Sequence, residues 1–219
     1  MSAAPYESLN LAVHVGDEPH AVATNRARVG DLAGAPVSFL VAEHGIAVGR
    51  VTSPGETPTT ADALVTATPG AAIAAIAADC VPLLLHDSAT GAVAAVHAGR
   101  EGVFAGVVDA AVAALLDLRG GTRSHGSMRA SIGPAICGRC YEVPQEMRER
   151  VAGRHPAAFA ATRAGTPALD LPRAIETRLG ELGFAGIVRT HECTAESPRL
   201  FSHRRDGITG RFAGIVVCE

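Results

Sequence analysis

The chain has 219 residues, 47% of them apolar and 19% charged, a composition that folds around a core and excludes intrinsic disorder. Nineteen basic residues against 22 acidic ones give a net charge of −3, which argues against a nucleic-acid binder. No apolar run reaches the ~18 residues of a membrane span and no signal-peptide pattern is present. A soluble, cytoplasmic protein is expected, in which the five cysteines are thiols rather than a disulfide framework. Aromatic residues make up only 4% and Trp is absent, so the core must be aliphatic.

Residues 37–42 and 46–52 read as two β-rich runs, with Gly45 as the turn residue that takes a positive φ. Residues 53–60 have loop composition. Residues 63–66 read as a short strand. The run 71–78 is ambiguous, because its alanines favour helix while its length suits a strand. Residues 81–86 and 92–97 are near-continuous apolar runs of strand length, joined by a hairpin-like Ser88-Ala-Thr-Gly91. Such strands suit a sheet covered on both faces. A long amphipathic helix follows, with Val103, Val107, Val108, Ala111, Val112 and Leu115 on one face and Gly120-Gly121 as its stop. Residues 129–132 read as a strand, 144–153 as a helix, and 170–182 as a second amphipathic helix capped by Asp170. Strands at 187–190 and 212–218 close the chain. The irregular alternation predicts an α/β fold, a single layered domain over residues 1–219 with mixed β-sheets covered by helices.

Three residues draw attention as chemistry-bearing. Cys80 opens an apolar strand, where a cysteine is ordinarily a small buried hydrophobe. His97 ends another strand, just before Gly99 and Gly102 lead into the long helix. Strand ends that feed a helix N-terminus are where α/β proteins place reactive groups. His44 lies at a turn, where a histidine is ordinarily solvated. No short-range metal signature joins the three, so spacing alone does not establish a site. Cys137-Gly-Arg-Cys140 is a lone Cys-x-x-Cys, read as incidental loop thiols, and Cys193 and Cys218 as structural or inert thiols.

The segments Ala78-Asp-Cys-Val-Pro-Leu-Leu-Leu85, Val96-His-Ala-Gly99, Ile132-Gly-Pro-Ala-Ile136, Cys140-Tyr-Glu-Val143 and Phe201-Ser-His-Arg-Arg-Asp-Gly207 resemble the YfiH/laccase-domain family. So do Ser8-Leu-Asn-Leu11, His14-Val-Gly-Asp17, Asn25-Arg26 and Thr209-Gly-Arg-Phe212. The resemblance implies that His44, Cys80 and His97 are metal ligands and the catalytic centre. It implies zinc, purine nucleosides and phosphate as substrates, and phosphorolysis of adenosine, inosine, guanosine and methylthioadenosine with adenosine deamination. Two imidazoles and a thiolate leave one zinc position open, the pattern of a catalytic site. Asn10, Arg26 and Arg204 are the candidate substrate-binding residues. The chain departs from the family pattern at Arg100-Glu101, where the family has Trp-Arg. Arg100 can hold an anion from the neighbouring position, while Glu101 opposes phosphate. Asp79 and Glu101 are the candidate proton shuttles.

Three other readings use the same residues. A copper phenol oxidase, the family's older description, needs clustered imidazoles that this sequence does not show. A cysteine hydrolase would use Cys80 as nucleophile and His97 as base. A non-catalytic metal-binding protein needs only the ligands.

Overall fold

The structure is a computed structural model that describes residues 1–56, 60–118 and 126–219. It is a mixed α/β fold. Helix α1 (Pro19–Ala33) precedes strands β1 (Val37–Phe39), β2 (Val48–Arg50), β3 (Ala63–Thr66), β4 (Ala72–Ala77), β5 (Val81–Asp87) and β6 (Val93–Ala98). Helices α2 (Arg100–Ala105) and α3 (Val107–Asp117) follow, then β7 (Met128–Ile132) and α4 (Gln145–Arg154). The chain continues through β8 (Phe159–Ala161), β9 (Pro167–Leu169), α5 (Leu171–Glu181), β10 (Gly186–Arg189), α6 (His203–Asp206) and β11 (Phe212–Val217).

A six-stranded mixed sheet in the order β10-β7-β5-β6-β3-β2 packs against a three-stranded sheet, β1-β4-β11. Side chains alternate along a strand, so β6 feeds two cores. Ala94, Val96 and Ala98 join the core under α3 and α5, while Val93 and Ala95 join the core between the sheets. This is why β5 and β6 read as continuous apolar runs: both faces are covered. His97 shares the inter-sheet face of Val93 and Ala95, and so points towards β4.

The ambiguous alanine run is strand β4, the middle of the three-stranded sheet, with every residue buried. Its helix propensity is worth only tenths of a kcal/mol per residue and yields to two ladders of hydrogen bonds. The small side chains also let the sheets approach closely. Helix α5 forms where the sequence places it. Asp170 accepts a hydrogen bond from the Arg173 N–H at 2.9 Å, and Leu171, Ile175 and Leu179 are buried.

Two expectations change. The long helix is two helices, because Gly106 takes φ +104° and ends α2 while starting α3. The apolar periodicity runs on across the break, so pattern alone did not reveal it. The expected stop at Gly120-Gly121 lies outside the described residues. Helix α1 was not expected, since only Val22, Asn25 and Val29 of its 15 residues are buried and its apolar face is sparse. Among the described residues no helix is long and apolar enough to cross a membrane.

Candidate functional site

The turn between β4 and β5 carries the chain from the small sheet to the large one, and Cys80 sits in it. Asp79 takes φ +91° there, a backbone region that side-chain-bearing residues rarely enter. Its carboxylate holds the turn in place. Oδ1 accepts from the hydroxyls of Thr194 at 2.6 Å and Ser202 at 2.7 Å, and Oδ2 accepts from the Arg204 N–H at 2.6 Å. With three donors on its carboxylate Asp79 braces the turn, and it also lines the cavity.

Among the described residues His44 is the other non-glycine residue with positive φ, at +63°, so the turn residue is the histidine itself and not Gly45. Asp62, almost fully buried, positions both histidines. Its Oδ1 accepts from the Glu43 N–H at 3.0 Å, and its backbone carbonyl accepts from the His97 N–H at 2.8 Å. His97 Nδ1–H donates to the Ile76 carbonyl on β4 at 2.8 Å. A carbonyl only accepts, so this bond sets the tautomer and turns the lone pair of Nε2 towards the cavity.

The ligating atoms of His44, Cys80 and His97 lie within 4.8 Å of one another. The two imidazole rings meet edge to face with centroids 5.0 Å apart. His97 Nε2 is buried and has no hydrogen-bond partner among the described residues. Such an orphan is costly unless something fills the site. Gly99 makes room for the cluster. A Cβ there would lie 2.8 Å from His44 Cδ2 and 3.2 Å from Cys80 Sγ. Burial pushes the Cys80 thiol up to about 11, with Asp79 adding to the effect. Burial also lowers His97 to about 4, with a smaller contribution from His44. A neutral imidazole with its lone pair aimed inward, beside a second imidazole and a sulfur, is a donor set that fits a zinc-type cation.

The cluster lies in the wall of a cavity of about 350 Å³, within the range of small-molecule sites. Arg100, Arg204 and Arg211 give it a cationic rim, and Ile76, Ile136 and Leu171 give it apolar walls. Arg204 NH1 donates to the Glu142 carbonyl at 2.9 Å, and its guanidinium lies 5.1 Å from the Tyr141 ring centre. Arg100 donates to Glu101 at 3.0 Å, and Glu101 also pairs with Arg150 on the outer surface. Glu101 does not line the cavity, so its expected shuttle role has no geometric basis. Its ion pair with Arg100 nevertheless offsets part of the cationic charge at the rim, in the sense of its expected opposition to phosphate.

Two of the candidate substrate residues lie elsewhere. Asn10 is fully buried; its side chain accepts from the Arg211 N–H at 2.9 Å and so holds Arg211 from behind. Arg26 stacks over Phe39 at 4.2 Å and donates to the Leu11 carbonyl, beside a different surface depression. The polar cavity-lining residues not singled out as site residues include His14, Tyr141, His203 and Arg211. Each belongs to a motif quoted for the resemblance, which was the signal available. Burial lowers the pKa of His14 and raises that of Tyr141, so both are neutral near pH 7.

Known proteins resemble the chain over its full length. A Streptomyces coelicolor protein named purine nucleoside phosphorylase is 48% identical, over 99% of this chain and 90% of that protein. A Mycobacterium tuberculosis protein of the same name is 45% identical, over 100% of this chain and 88% of its own length. The crystal structure of a Neisseria meningitidis protein matches with a TM-score of 0.87 and 35% identity, covering 100% of this chain and 90% of that one. That of Bacillus licheniformis YfiH matches with a TM-score of 0.88 and 27% identity, covering 100% and 88%. The model of the family described as multi-copper polyphenol oxidoreductase laccase matches residues 1–219, and with relatives this similar along the whole chain the protein belongs to that family.

Proposed function

We propose that this protein is a zinc-dependent purine nucleoside phosphorylase acting on adenosine, inosine, guanosine and methylthioadenosine, with accompanying adenosine deamination. His44, Cys80 and His97 are the metal ligands. The observation that carries the reading is the orphaned Nε2 of buried His97, aimed at Cys80 and His44 in the wall of a cavity with an arginine rim. The names of the relatives support the reaction class.

Zinc bound there supplies Lewis-acid polarisation of an oxygen function and a more acidic water. The chain's own residues do the rest. Arg100, Arg204 and Arg211 bind phosphate by charge-assisted hydrogen bonds and hold it beside the ribose. Ile76, Ile136, Leu171 and the Tyr141 ring enclose the purine and exclude water. Phosphate oxygen then bonds to C1′ as the bond from C1′ to the base nitrogen breaks. The Tyr141 hydroxyl, kept protonated by burial, donates a hydrogen bond to the departing base. The proton of hydrogenphosphate passes to the departing base nitrogen, so the base leaves neutral and the charge stays on the sugar phosphate. In the deamination His14, kept neutral, takes the proton of the attacking water and returns it to the leaving ammonia.

Two features weigh against the other readings. A catalytic thiolate needs a lowered pKa, and burial moves Cys80 the other way. Multicopper chemistry needs several imidazole-rich centres, and the described residues hold one group with two imidazoles. Incubation of the zinc-loaded protein with inosine and adenosine, with and without phosphate, tests the proposal. Phosphate-dependent release of free base is expected. Zinc-loaded protein that releases neither base nor ammonia would overturn it.

A further inference from the structure

A second group of metal-ligating side chains lies outside the cavity. The Cys-x-x-Cys of residues 137–140 lacks a partner pair in sequence, yet the fold supplies one. The backbone bridge between Ala135 and Cys193 brings a third cysteine alongside. The donor atoms of Cys137, Cys140, Cys193 and Glu196 all lie within 4.8 Å of one another. Tetrahedral zinc with thiolate ligands spaces its sulfurs at about 3.8 Å, so small side-chain movements close this shell.

The local backbone is already shaped for it. The Cys140 and Tyr141 N–H groups both donate to the Cys137 carbonyl, at 2.9 and 3.0 Å, which curls the loop into a tight knuckle. Gly138 is required inside it, because a Cβ would lie 2.8 Å from Asp170 Cβ. The Cys137 N–H donates to Cys193 Sγ at 3.3 Å, the kind of outer contact that orients a ligand and steadies a thiolate. Cys140 Sγ–H donates to Glu196 at 3.2 Å, and Arg163 pairs with the same carboxylate at 2.6 Å. Arg163 thus offsets part of the negative charge the ligands would bring.

We infer that Cys137, Cys140, Cys193 and Glu196 form a second, structural zinc site. Three soft sulfurs and one carboxylate select zinc over magnesium or calcium. Four protein ligands leave no open position, so the site holds structure and does no chemistry. What it holds is the cavity wall. Ile136 N–H donates to the Asp79 carbonyl, and Thr194 bonds to both Ala135 and Asp79. The zinc staples the segment carrying Ile136 and Tyr141 to the one carrying Thr194, and both grip the turn that presents Cys80.

The test is a zinc count on the full chain, reconstituted with Zn(II) and desalted. Two equivalents are expected. Cys80→Ala should lose one and keep one, and Cys193→Ser should lose the one that Cys80→Ala keeps. If Cys193→Ser fails to fold, Cys80→Ala decides alone, because it leaves the second cluster intact. Cobalt(II) in Cys80→Ala should then give strong sulfur-to-metal charge-transfer absorption, and chelation should expose three thiols to alkylation. A Cys80→Ala protein that folds but retains no zinc would overturn the inference. So would a disulfide-linked peptide joining Cys137 to Cys140 or Cys193 in the freshly purified protein.

Discussion

The His97 ring donates from Nδ1 to the Ile76 carbonyl at 2.8 Å, and this contact between the two sheets fixes which nitrogen faces the cavity. His97→Gln removes the inward lone pair while keeping a polar group of similar size. Zinc affinity should fall by about 100-fold or more, with phosphorolysis lost in step. Metal titration against a competing chelator checks the first, and base release the second.

The same residue sets a pH dependence in the metal-free protein. The unfolded chain protonates this histidine near 6.5, whereas the folded chain holds it neutral down to about 4. Stability from the neutral ring is therefore complete above 6.5 and is lost as pH falls towards 4, by about 3 kcal/mol in total. Urea midpoints of the chelated protein across that range should show the slope, and His97→Gln should flatten it.

Gly99 is needed for space and not for its φ, which is −79°. Gly99→Ala should leave the fold intact while its Cβ pushes against His44 and Cys80. Zinc affinity should drop roughly 10- to 100-fold. Unchanged affinity would show that the three ligands do not act as one site.

Asp79→Asn tests the brace. The amide keeps the shape but places a donor where one of the oxygens now accepts. A loss of about 1–3 kcal/mol in unfolding free energy is expected, with KM for phosphate raised more than kcat is lowered, because Arg204 loses its backbone anchor.

Arg211 and Glu101 should behave oppositely. Arg211→Met should raise KM for phosphate about tenfold or more at unchanged zinc content, since the guanidinium faces the cavity. Glu101→Gln should lower KM for phosphate, by no more than about fivefold, because it releases Arg100 at the cavity rim from an ion pair and such part-exposed pairs are worth under about 1 kcal/mol.

Much of the fold was legible residue by residue. Strand β3 lies where the short run Ala63-Leu-Val-Thr66 placed it, and α5 starts at its Asp170 cap. These signals are local: alternation, a capping side chain, a turn composition. Strand β4 was not decidable locally, because alanine is compatible with either state and only the neighbouring strands β1 and β11 choose. The break at Gly106 was hidden for a related reason, since both helices bury the same face and keep one period.

The sequence by itself determined the layered α/β class, the paired apolar strands of the sheet and the motif positions that carry Cys80 and His97, with His44 entering only as what the family resemblance implies. Only the tertiary structure decided that these three meet, that Arg211 and Tyr141 face them while Asn10 and Arg26 do not, and that Cys193 joins Cys137 and Cys140. The reason is distance along the chain. Strand patterning is set by neighbours two residues apart, but a site drawn from four or five segments exists only after the chain crosses between sheets at Asp79 and Cys80.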